Sequence, residues 1–441
     1  MNASLTTTSA PVDVASQRAM QLAPRPVTLA QTGLTMTFLA DLVSKHLAIA
    51  GVLSLSQIIE RLAIAGPILD QILQMMRKEG RVEVRARLSS DPDLRFGLTE
   101  RGRTEALDAL MRGGYVGPAP VPVSDYAAVV RRQSVHGAQV TRTVMHSAFK
   151  NVVIEPAMLD QLGPALNSGR AIFIYGAAGT GKTFIARRLA NALPGLVLVP
   201  HAVAVNETVV RMYDPLSHLE IEPLASASKV MLDHGHDPRY VLCERPVIVS
   251  GGELNAEMLE VHFNATTREY NAPLQMKANN GLLLIDDLGR QRIEPQTLFN
   301  RWIVPMEEKR DYLTAGSGQH FTIPFDLVLV FSTNLDPVEL ADDAFLRRIG
   351  SKICFRPVSA EQYRKIWRDV CAERGVFYEA EAIEYLIHEL HGKRDKPMLP
   401  CHPRDLLGMS LDLTSYAGDA PEITAQSLQW AWDNYFVEEK Q

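Results

Sequence analysis

The segment Ala171-Ile-Phe-Ile-Tyr175, followed directly by Gly176-Ala-Ala-Gly-Thr-Gly-Lys182-Thr183, decides the fold of this chain. The second part matches the pattern GxxxxGK[ST] and stands between an apolar strand and a predicted helix over residues 184–193. Glycines allow successive backbone N–H groups to face one point, and the positive end of a helix favours an anion. The sequence therefore predicts a phosphate-binding loop.

The chemistry predicted for this loop is the binding of ATP with Mg²⁺. Lys182 would contact the β- and γ-phosphates, and the Thr183 hydroxyl would complete the shell of a Mg²⁺ ion that keeps several waters. The alternative is a glycine turn without a ligand, and the order strand, loop, helix argues against it. The residues predicted to bind the nucleotide are Gly176, Ala177, Ala178, Gly179, Thr180, Gly181, Lys182, Thr183 and Phe184.

A second apolar strand, Gly281-Leu-Leu-Leu-Ile285, ends in the paired carboxylates Asp286 and Asp287. Its unbroken apolar run is typical of a strand that is buried on both faces. Asp286 would hold the water shell of the metal, which makes it and Thr183 the predicted metal-side residues, and Asp287 would polarise the attacking water. The alternative, a solvated turn, is disfavoured by the phosphate loop upstream.

Length and composition indicate an ordinary globular protein. The 441 residues, 46% of them apolar, allow two or three compact domains. Apolar stretches end well short of the ~20 residues of a membrane span, so no membrane insertion is expected. The start of the chain lacks the pattern of a secretory signal, and the four cysteines show no CxxC spacing. The expected localisation is therefore the cytoplasm.

The N-terminal third is predicted to contain a small separate domain. Residues 1–30 are polar and are expected to be a disordered tail. Within residues 31–115, three segments with helical periodicity precede two alternating segments around Asp91-Pro92-Asp93. The phrase FGLTERGRTEA resembles the wing-to-helix segment of bacterial winged-helix proteins, where Thr99 would cap a helix beginning near Glu100. A winged-helix-like domain is expected.

Composition and periodicity place the remaining boundaries. The Gly- and Pro-rich run RGGYVGPAPVPV marks a linker region that extends over residues 116–150. Strands and helices then alternate through residues 151–357, which predicts a parallel sheet with helices on both faces. Residues 358–441 show mainly helical periodicity. Residues 1–150 carry 17 Lys and Arg against 12 Asp and Glu, a net charge of +5 that is far below that of a committed nucleic-acid binder.

The phosphate-binding loop corresponds to a Walker A motif, and the strand that ends in Asp286 and Asp287 corresponds to a Walker B motif. From Val153 to its C-terminal helices, the chain resembles AAA+ ATPases, because further motifs follow these two in family order. The resemblance implies an α/β P-loop core with a C-terminal helical lid. The strand LVLVFSTN ends in Asn334, the place of the sensor 1 residue that orients the hydrolytic water. The alternative is that Asn334 only caps the Leu-Asp-Pro turn.

The resemblance also implies catalytic arginines. AFLRRIGSKICF is similar to the segment that carries the arginine finger, where Arg347 or, by preference, Arg348 would reach a nucleotide on the neighbouring subunit. CHPRDLL is similar to the sensor 2 segment, so that Arg404 would contact phosphate in its own subunit. The alternatives are an ordinary arginine pair at a helix end and a surface salt bridge between Arg404 and Asp405.

Two features depart from the commonest family pattern. Asp287 stands where most members have Glu, which suggests slow or partner-dependent hydrolysis. Extra residues lie between the two nucleotide motifs and are expected as an insertion in the second helix, with the turn Gly251-Gly252-Glu253 as a moving substrate loop or a hairpin tip. The hairpin expected over residues 311–324 resembles the pre-sensor 1 insertion of MoxR-like ATPases and enhancer-binding activators.

The function expected from these observations is ATP hydrolysis by a homo-oligomer, with a hexameric ring or spiral as the family expectation. The favoured hypothesis is a chaperone-like remodeller of a protein complex that uses the N-terminal domain as an adaptor to a protein substrate. One alternative is a DNA-dependent ATPase that binds DNA through the winged helix. A slow nucleotide-dependent switch or scaffold is the other.

Overall fold

The computed structural model describes residues 21–85, 93–137, 139–221, 235–316 and 318–436. Most of the predicted tail and the Asp91-Pro92 turn lie outside these residues. The prediction of a disordered tail is wrong for residues 21–30. Ala23 is buried in a hydrophobic core, and its carbonyl accepts a hydrogen bond from the Asp237 N–H at 2.8 Å. The Thr28 side chain then caps the helix that begins at Leu29.

The N-terminal part forms helices and a small antiparallel sheet with strand order β1-β3-β2. The three helical segments and the two strands expected from periodicity are confirmed, and Thr99 caps α5 by accepting a hydrogen bond from the Gly102 N–H at 3.0 Å. The elements are α1 (Leu29–Thr32), α2 (Met36–Ala50), β1 (Val52–Ser54), α3 (Leu55–Leu62), α4 (Gly66–Lys78), β2 (Val82–Arg85), β3 (Arg95–Leu98), α5 (Glu100–Arg112), β4 (Val121–Pro122) and α6 (Val123–Arg132).

The middle of the chain is rich in strands. Its elements are α7 (Arg142–Ala148), α8 (Pro156–Asn167), β5 (Ile172–Tyr175), α9 (Lys182–Arg188), a 3₁₀ turn (Leu189–Ala192), β6 (Val197–Pro200), β7 (Ala202–Val205), β8 (Thr208–Arg211), β9 (Tyr240–Cys243), β10 (Val247–Ser250), a 3₁₀ turn (Ala256–Leu259), β11 (His262–Asn264), β12 (Glu269–Asn271) and α10 (Leu274–Lys277).

The expected insertion in a second helix is wrong for the residues that the structure describes. Between 193 and 283, the described residues form no helix longer than four residues, and β4, β7, β8, β12 and β11 make a separate five-stranded sheet. The physical reason is the Val-rich composition of segments such as VLVPHAVAV, which favours strands. The Gly251-Gly252-Glu253 turn follows β10 of another sheet, so the hairpin-tip interpretation is wrong as well.

The last third contains the remaining strands of the central sheet and the C-terminal helices. Its elements are β13 (Leu282–Ile285), α11 (Pro295–Glu308), β14 (Arg310–Thr314), β15 (His320–Pro324), β16 (Val328–Thr333), α12 (Pro337–Leu340), α13 (Asp343–Leu346), β17 (Ser351–Cys354), α14 (Ala360–Arg374), α15 (Ala380–Tyr385), a π-helix (Leu386–Gly392), α16 (His402–Ala417) and α17 (Ala425–Tyr435). The hairpin expected over residues 311–324 is confirmed as β14 and β15.

The central sheet has the strand order β10-β13-β16-β5-β17 and is flanked by helices. Strands β16 and β17 both pair with β5 in parallel, with Thr333 and Cys354 each opposite Tyr175. Every residue of β13 and of β16 is buried, as their continuous apolar runs predict for a sheet that is covered on both faces. The predicted α/β fold class, with a helical C-terminal region, is confirmed.

The C-terminal helices enclose their own hydrophobic core. Tyr363, Trp367 and Trp432 are fully buried in it, together with aliphatic residues of α14 to α17. The apolar periodicity of this region therefore predicted the burial of one face of each helix.

The chain divides into two compact units. The described residues of the first lie within 21–137, 193–283 and 292–329, and those of the second within 139–192, 284–291 and 330–436. The predicted domain boundaries after residues 30, 115, 150 and 357 stay predictions. In the part of the chain that the structure describes, no helix is long and apolar enough to cross a membrane.

Candidate functional site

The glycine loop lies between β5 and α9 in the second unit, and its backbone explains its composition. Gly176, Gly179 and Gly181 have φ values of +133°, +79° and +86°, a region that L side chains rarely adopt. A Cβ atom at Gly176 would lie 2.2 Å from the Phe355 carbonyl oxygen, and one at Gly179 would lie 2.5 Å from Cys401 Sγ. These turns therefore require glycine.

Lys182 lies buried at the first position of α9, under the loop. Its Nζ donates hydrogen bonds to the carbonyl oxygens of Gly176 and Ala177, both at 2.8 Å, and to Oδ1 of Asn334 at 2.6 Å. Burial lowers the pKa of this ammonium group, while the charges of Asp286 and Asp287 act to raise it. The side chain thus presents a positive charge at the inner surface of the loop.

The carboxylates after β13 meet the loop and the end of β16. Thr183 Oγ1 donates a hydrogen bond to Oδ2 of Asp286 at 2.7 Å, and Nδ2 of Asn334 donates to Oδ1 of Asp287 at 3.3 Å. Asn334 therefore connects Lys182 with Asp287. The structure brings together the residues that three separate motifs predict for one site.

Two other side chains make the local contacts that the alternative interpretation gave to Asn334. Asp336 caps α12 by accepting from the Val338 N–H at 3.0 Å, and Thr333 Oγ1 accepts from the Leu335 N–H at 3.1 Å. The amide group of Asn334 is left to contact Lys182 and Asp287. The interpretation of Asn334 as a turn cap is therefore wrong.

The oxygens of Thr183 and Asp286 are a donor set suited to Mg²⁺. The ion prefers oxygen ligands, keeps several of its waters, and is commonly held by one or two protein oxygens next to substrate phosphates. A hydroxyl and a carboxylate oxygen 2.7 Å apart, facing the phosphate loop, meet that requirement. The residues present therefore fit the metal that the sequence predicts.

A cavity of about 520 Å³ lies beside the phosphate loop, entirely within the second unit. Its walls come from the segment before α8, from the end of β17 and from the loop before α16. The lining residues include Val153, Ile154, Tyr175, Thr180 and Gln362. Its volume lies in the range of small-molecule binding sites.

The predicted arginines lie on the second unit in different environments. Arg347 directly follows α13 and is exposed, and Arg348 is partly buried. Arg404 lies on α16 and forms a salt bridge with Glu373 at 2.8 Å, where the salt-bridge alternative expected Asp405. Asp405 instead accepts a hydrogen bond from the Tyr435 hydroxyl at 2.9 Å.

Phe184 is the one predicted loop residue whose side chain turns elsewhere. It is 47% exposed, and the Arg188 guanidinium lies 3.9 Å from its ring centre. Only its backbone N–H is suited to a phosphate contact. Ala177 and Ala178 likewise lie in the loop as predicted, and the Thr180 hydroxyl donates to the Ala177 carbonyl at 2.8 Å.

Sequence reasoning missed two side chains that shape the site. Gln291 contacts the backbone on both sides of Asp287, and the Thr333 hydroxyl donates to the Leu288 carbonyl oxygen at 2.8 Å. Thr333 is next to Asn334 in the sequence, and this neighbourhood is only a weak indication that it belongs to the site. No pattern in the sequence singles out Gln291, because its contacts depend on the shape of the turn.

Comparisons with known proteins find one family model and several remotely similar structures. A family model described as a domain of unknown function, DUF8689, matches residues 359–434, and no curated protein matches the chain. Among solved structures, the chain is similar to the Thermotoga maritima RuvB Holliday junction branch migration motor, with 13% identity, 64% of this chain and 69% of that chain covered, and a TM-score of 0.38.

Two further structures show a similar level of likeness. NtrX from Brucella abortus is 13% identical over 77% of this chain and 68% of that chain, with a TM-score of 0.41. Domain III of the Thermotoga maritima replication initiation protein DnaA is 16% identical over 66% of this chain and 97% of that chain, with a TM-score of 0.36. These likenesses are loose and carry no functional argument.

The class of fold is defined by the chain's own features. A parallel sheet flanked by helices carries the phosphate loop after β5, two carboxylates after β13 and an asparagine after β16, and helices follow the sheet. This is an α/β fold in which a phosphate loop, two carboxylates and an asparagine follow strands of one parallel sheet.

Proposed function

We propose that this protein is an AAA+ ATPase that hydrolyses ATP with Mg²⁺. The observation that carries the proposal is the bridge made by Asn334, which accepts from Lys182 at 2.6 Å and donates to Asp287 at 3.3 Å. A phosphate-binding cation, a carboxylate that can orient water and a polar amide are thereby held at one place. A structural turn would have no need of this combination.

The roles of the residues follow from their geometry. Lys182 and the loop N–H groups bind the phosphates, and Thr183 with Asp286 holds the Mg²⁺ and its waters. Asp287 and Asn334 orient the attacking water. Because phosphoryl transfer needs little covalent help from the protein, placement and charge supply most of the catalysis. When bound, the metal neutralises charge that develops on the phosphate oxygens.

The cavity beside the loop is the proposed site of the nucleoside. Thr180 lies both in the loop and in the cavity wall, so a phosphate chain in the loop would lead directly into this space. Apolar Val153 and Ile154 offer packing for a base, and Tyr175 and Gln362 offer polar groups. A mixture of apolar surface and few polar groups is typical of small-molecule sites.

Hydrolysis is tested by the steady-state release of phosphate from ATP by the full chain in the presence of Mg²⁺. Lys182→Ala removes the phosphate-binding cation and is expected to lower turnover at least about 100-fold, the scale of losing a main electrostatic contact. Lys150→Ala, at an exposed position in the same unit, is the matched control and should hydrolyse ATP normally. Full hydrolysis by Lys182→Ala would refute the assignment of the site.

Arg348, or the exposed Arg347, is the proposed arginine finger for a neighbouring subunit of a homo-oligomer. Arg404 is the proposed cis contact to phosphate. Its salt bridge with Glu373 lies at the surface, with both side chains more than half exposed. Such pairs typically contribute at most about 1 kcal/mol, so Arg404 can leave Glu373 for a stronger phosphate partner.

The work coupled to hydrolysis is proposed to be the remodelling of a protein complex, with residues 31–115 as a winged-helix adaptor. The order of α2, β1, α3, α4, β2 and β3 supports this interpretation. The exposed face of α4 carries Asp70, Gln71 and Gln74 beside Arg77 and Lys78. Such a mixed face suits a protein surface better than the uniform negative charge of DNA.

DNA binding remains the second candidate because Arg77 and Lys78 are both exposed at the end of α4. It is tested with the full chain and duplex DNA at a series of salt concentrations. Affinity that falls with salt, and that Arg77→Ala and Lys78→Ala weaken, would favour a DNA-dependent ATPase. Binding that is absent at low salt would remove this candidate.

The placement of the β14–β15 hairpin directly before β16 supports membership of the MoxR-like or related pre-sensor 1 insertion clade.

The third candidate, a slow nucleotide switch, is motivated by the short side chain of Asp287. Asp287→Glu tests it: an unchanged rate, together with fast turnover by the wild type, would exclude a switch, whereas a large gain would support it.

A further inference from the structure

The side chain of one glutamine, Gln291, spans the turn that follows β13. Nε2 of Gln291 donates a hydrogen bond to the Asp286 carbonyl oxygen at 2.7 Å, and its Oε1 accepts from the Gly289 N–H at 2.8 Å. One side-chain amide therefore satisfies a backbone acceptor before Asp287 and a backbone donor after it. All these residues belong to the second unit.

Asp287 needs such support because its backbone is strained. Its φ is +50°, in the left-handed region that L residues other than glycine avoid at a cost of about 1–2 kcal/mol. Gly289 in the same turn has φ +102°. Within the turn, the Arg290 N–H donates to the Asp287 carbonyl at 3.0 Å. An unsupported turn would allow Asp287 to relax to a more favourable conformation.

The conformation of Asp287 decides where its carboxylate points. In the left-handed conformation, Oδ1 meets Nδ2 of Asn334, which in turn meets Lys182. On the other side of the turn, the Thr333 hydroxyl fixes the Leu288 carbonyl at 2.8 Å. The Leu288 N–H also donates to the Ser332 carbonyl oxygen at 2.8 Å. The neighbouring strand thus fixes Leu288, and Gln291 fixes the turn from within.

We propose that Gln291 is a positioning residue for hydrolysis, which acts through Asp287. The proposal rests on the proposed ATPase function. Gln291 needs no contact with the phosphate loop, because its contribution is to keep the Asp287 carboxylate aimed at the water position. A misplacement of about 1 Å at a reacting group can cost about 100-fold in rate.

The experiment compares the full-length wild type with Gln291→Leu, which removes both hydrogen bonds at similar side-chain volume. We expect kcat to fall by about 10- to 100-fold, while the Kd of a fluorescent ATP analogue stays within about 3-fold, because phosphate binding does not use this turn. The matched control is Gln296→Leu, because Gln296 is exposed on α11. The kcat of this variant should equal that of the wild type.

A double-mutant cycle separates positioning from a general structural role. In an Asp287→Asn background, Gln291→Leu should lower kcat by less than about 2-fold, because the group through which it acts has already lost its function. An effect as large as in the wild-type background would overturn the proposal. The variant Gln291→Glu keeps the acceptor for the Gly289 N–H and loses the donor to the Asp286 carbonyl, so a smaller loss of kcat is expected. If Gln291→Leu does not fold, Gln291→Glu provides the test instead.

The outcomes distinguish this proposal from the function on which it rests. A wild-type protein that hydrolyses no ATP overturns both the ATPase and the role of Gln291. An active wild type whose Gln291 variants keep full kcat overturns only the positioning role. An active wild type with reduced kcat, unchanged nucleotide affinity and a non-additive cycle supports both.

Discussion

The Lys182 ammonium group directs its hydrogen bonds to three protein oxygens, two carbonyls of the loop and the Asn334 side chain. A bound phosphate would offer a charged acceptor at the same place, and charge-assisted hydrogen bonds are stronger than those to neutral groups. Nucleotide binding therefore would exchange neutral partners of Lys182 for a charged one. Asn334 would be released from Lys182 at the same time and become available to water.

Asp287→Asn should remove hydrolysis and leave nucleotide binding intact. The asparagine keeps the shape and the acceptor facing Asn334, but it loses the negative charge that polarises water. We expect kcat to fall by about 100-fold or more, in line with the loss of a general base. The measurement is phosphate release together with the Kd of a fluorescent ATP analogue.

The control for this charge loss is Asp336→Asn. Asp336 follows β16, two residues after Asn334, and caps α12, a task that asparagine performs equally well. Its ATPase rate should therefore match that of the wild type. Equal losses in the two variants would contradict the special role of Asp287.

Sequence patterns identified individual residues where a motif and its strand context coincide. Lys182, Thr183 and Asp286 follow from two motifs, and Asn334 from the order of motifs along the chain. Gln291 could not be predicted, because its role depends on a left-handed residue at Asp287, and a sequence pattern does not contain the backbone conformation. The partner of Arg404 was missed for a similar reason: Glu373 lies on another helix, 31 positions away.

The glycine loop illustrates how an element depends on backbone space. Gly179→Ala places a Cβ at φ +79°, where an L residue costs about 1–2 kcal/mol, and it sets that atom 2.5 Å from Cys401 Sγ. We expect a loss of unfolding free energy of at least that size and a large loss of affinity for ATP. Urea unfolding and titration with a fluorescent ATP analogue measure the two effects.

Gly408→Ala provides the opposite control within the same unit. Gly408 lies inside α16, and a Cβ there meets no atom within 4 Å. Alanine should stabilise the helix by about 0.5–1 kcal/mol and leave ATP affinity unchanged. A Gly179→Ala variant that binds ATP as tightly as Gly408→Ala would contradict the proposed phosphate loop.

The C-terminal helices contain a buried pair of histidines, His391 and His402, whose rings stack at 5.4 Å. Burial, with a smaller contribution from His391, lowers the pKa of His402 to about 4. Burial also lowers the pKa of His391. The folded state therefore holds neutral imidazoles, whereas an unfolded histidine takes up a proton below about pH 6.5.

Stability should accordingly fall as the pH is lowered from about 6.5 towards 4, because the unfolded state binds more protons over this range. For His402 alone, the loss is on the order of 3 kcal/mol. Urea unfolding followed by tryptophan fluorescence measures it, and His402→Phe should reduce the slope. His146→Phe, at an exposed position, should keep the wild-type slope; a slope unchanged in His402→Phe would contradict this origin.

At the scale of elements, periodicity predicted α2, α3, α4 and the C-terminal helices because each buries one apolar face. The region between 193 and 283 was predicted less well. Its strands are only three or four residues long, and several pair with partners distant in sequence, such as β7 with β4 and β8 with β12. Short strands carry little periodic signal, so family analogy suggested a helix where the residues favour a sheet.

For the whole molecule, one chain supplies every residue of the proposed site except the proposed arginine finger. Lys182, Asp286, Asp287 and Asn334 all lie in the second unit. Arg347 is exposed and available to another copy of the chain. A finger provided by a neighbour makes hydrolysis depend on assembly, because the charge that stabilises the transition state is absent from the isolated subunit.

Turnover per subunit should therefore rise steeply with protein concentration, and variants with complementary defects should restore each other. Arg348→Ala is expected to bind ATP and hydrolyse it about 10³-fold or more slowly, the scale of other finger arginines. Lys182→Ala lacks the phosphate contact but keeps the finger. When the two inactive proteins are mixed, a Lys182→Ala subunit can supply its arginine to the intact nucleotide site of an Arg348→Ala neighbour, and activity should return.

Arg347→Ala, mixed in the same way, determines which arginine acts, and Arg374→Ala, at an exposed position of α14, is the control that should stay active alone. If neither arginine variant regains turnover when mixed with Lys182→Ala, the finger does not act between subunits, and a rate independent of concentration would agree with that result.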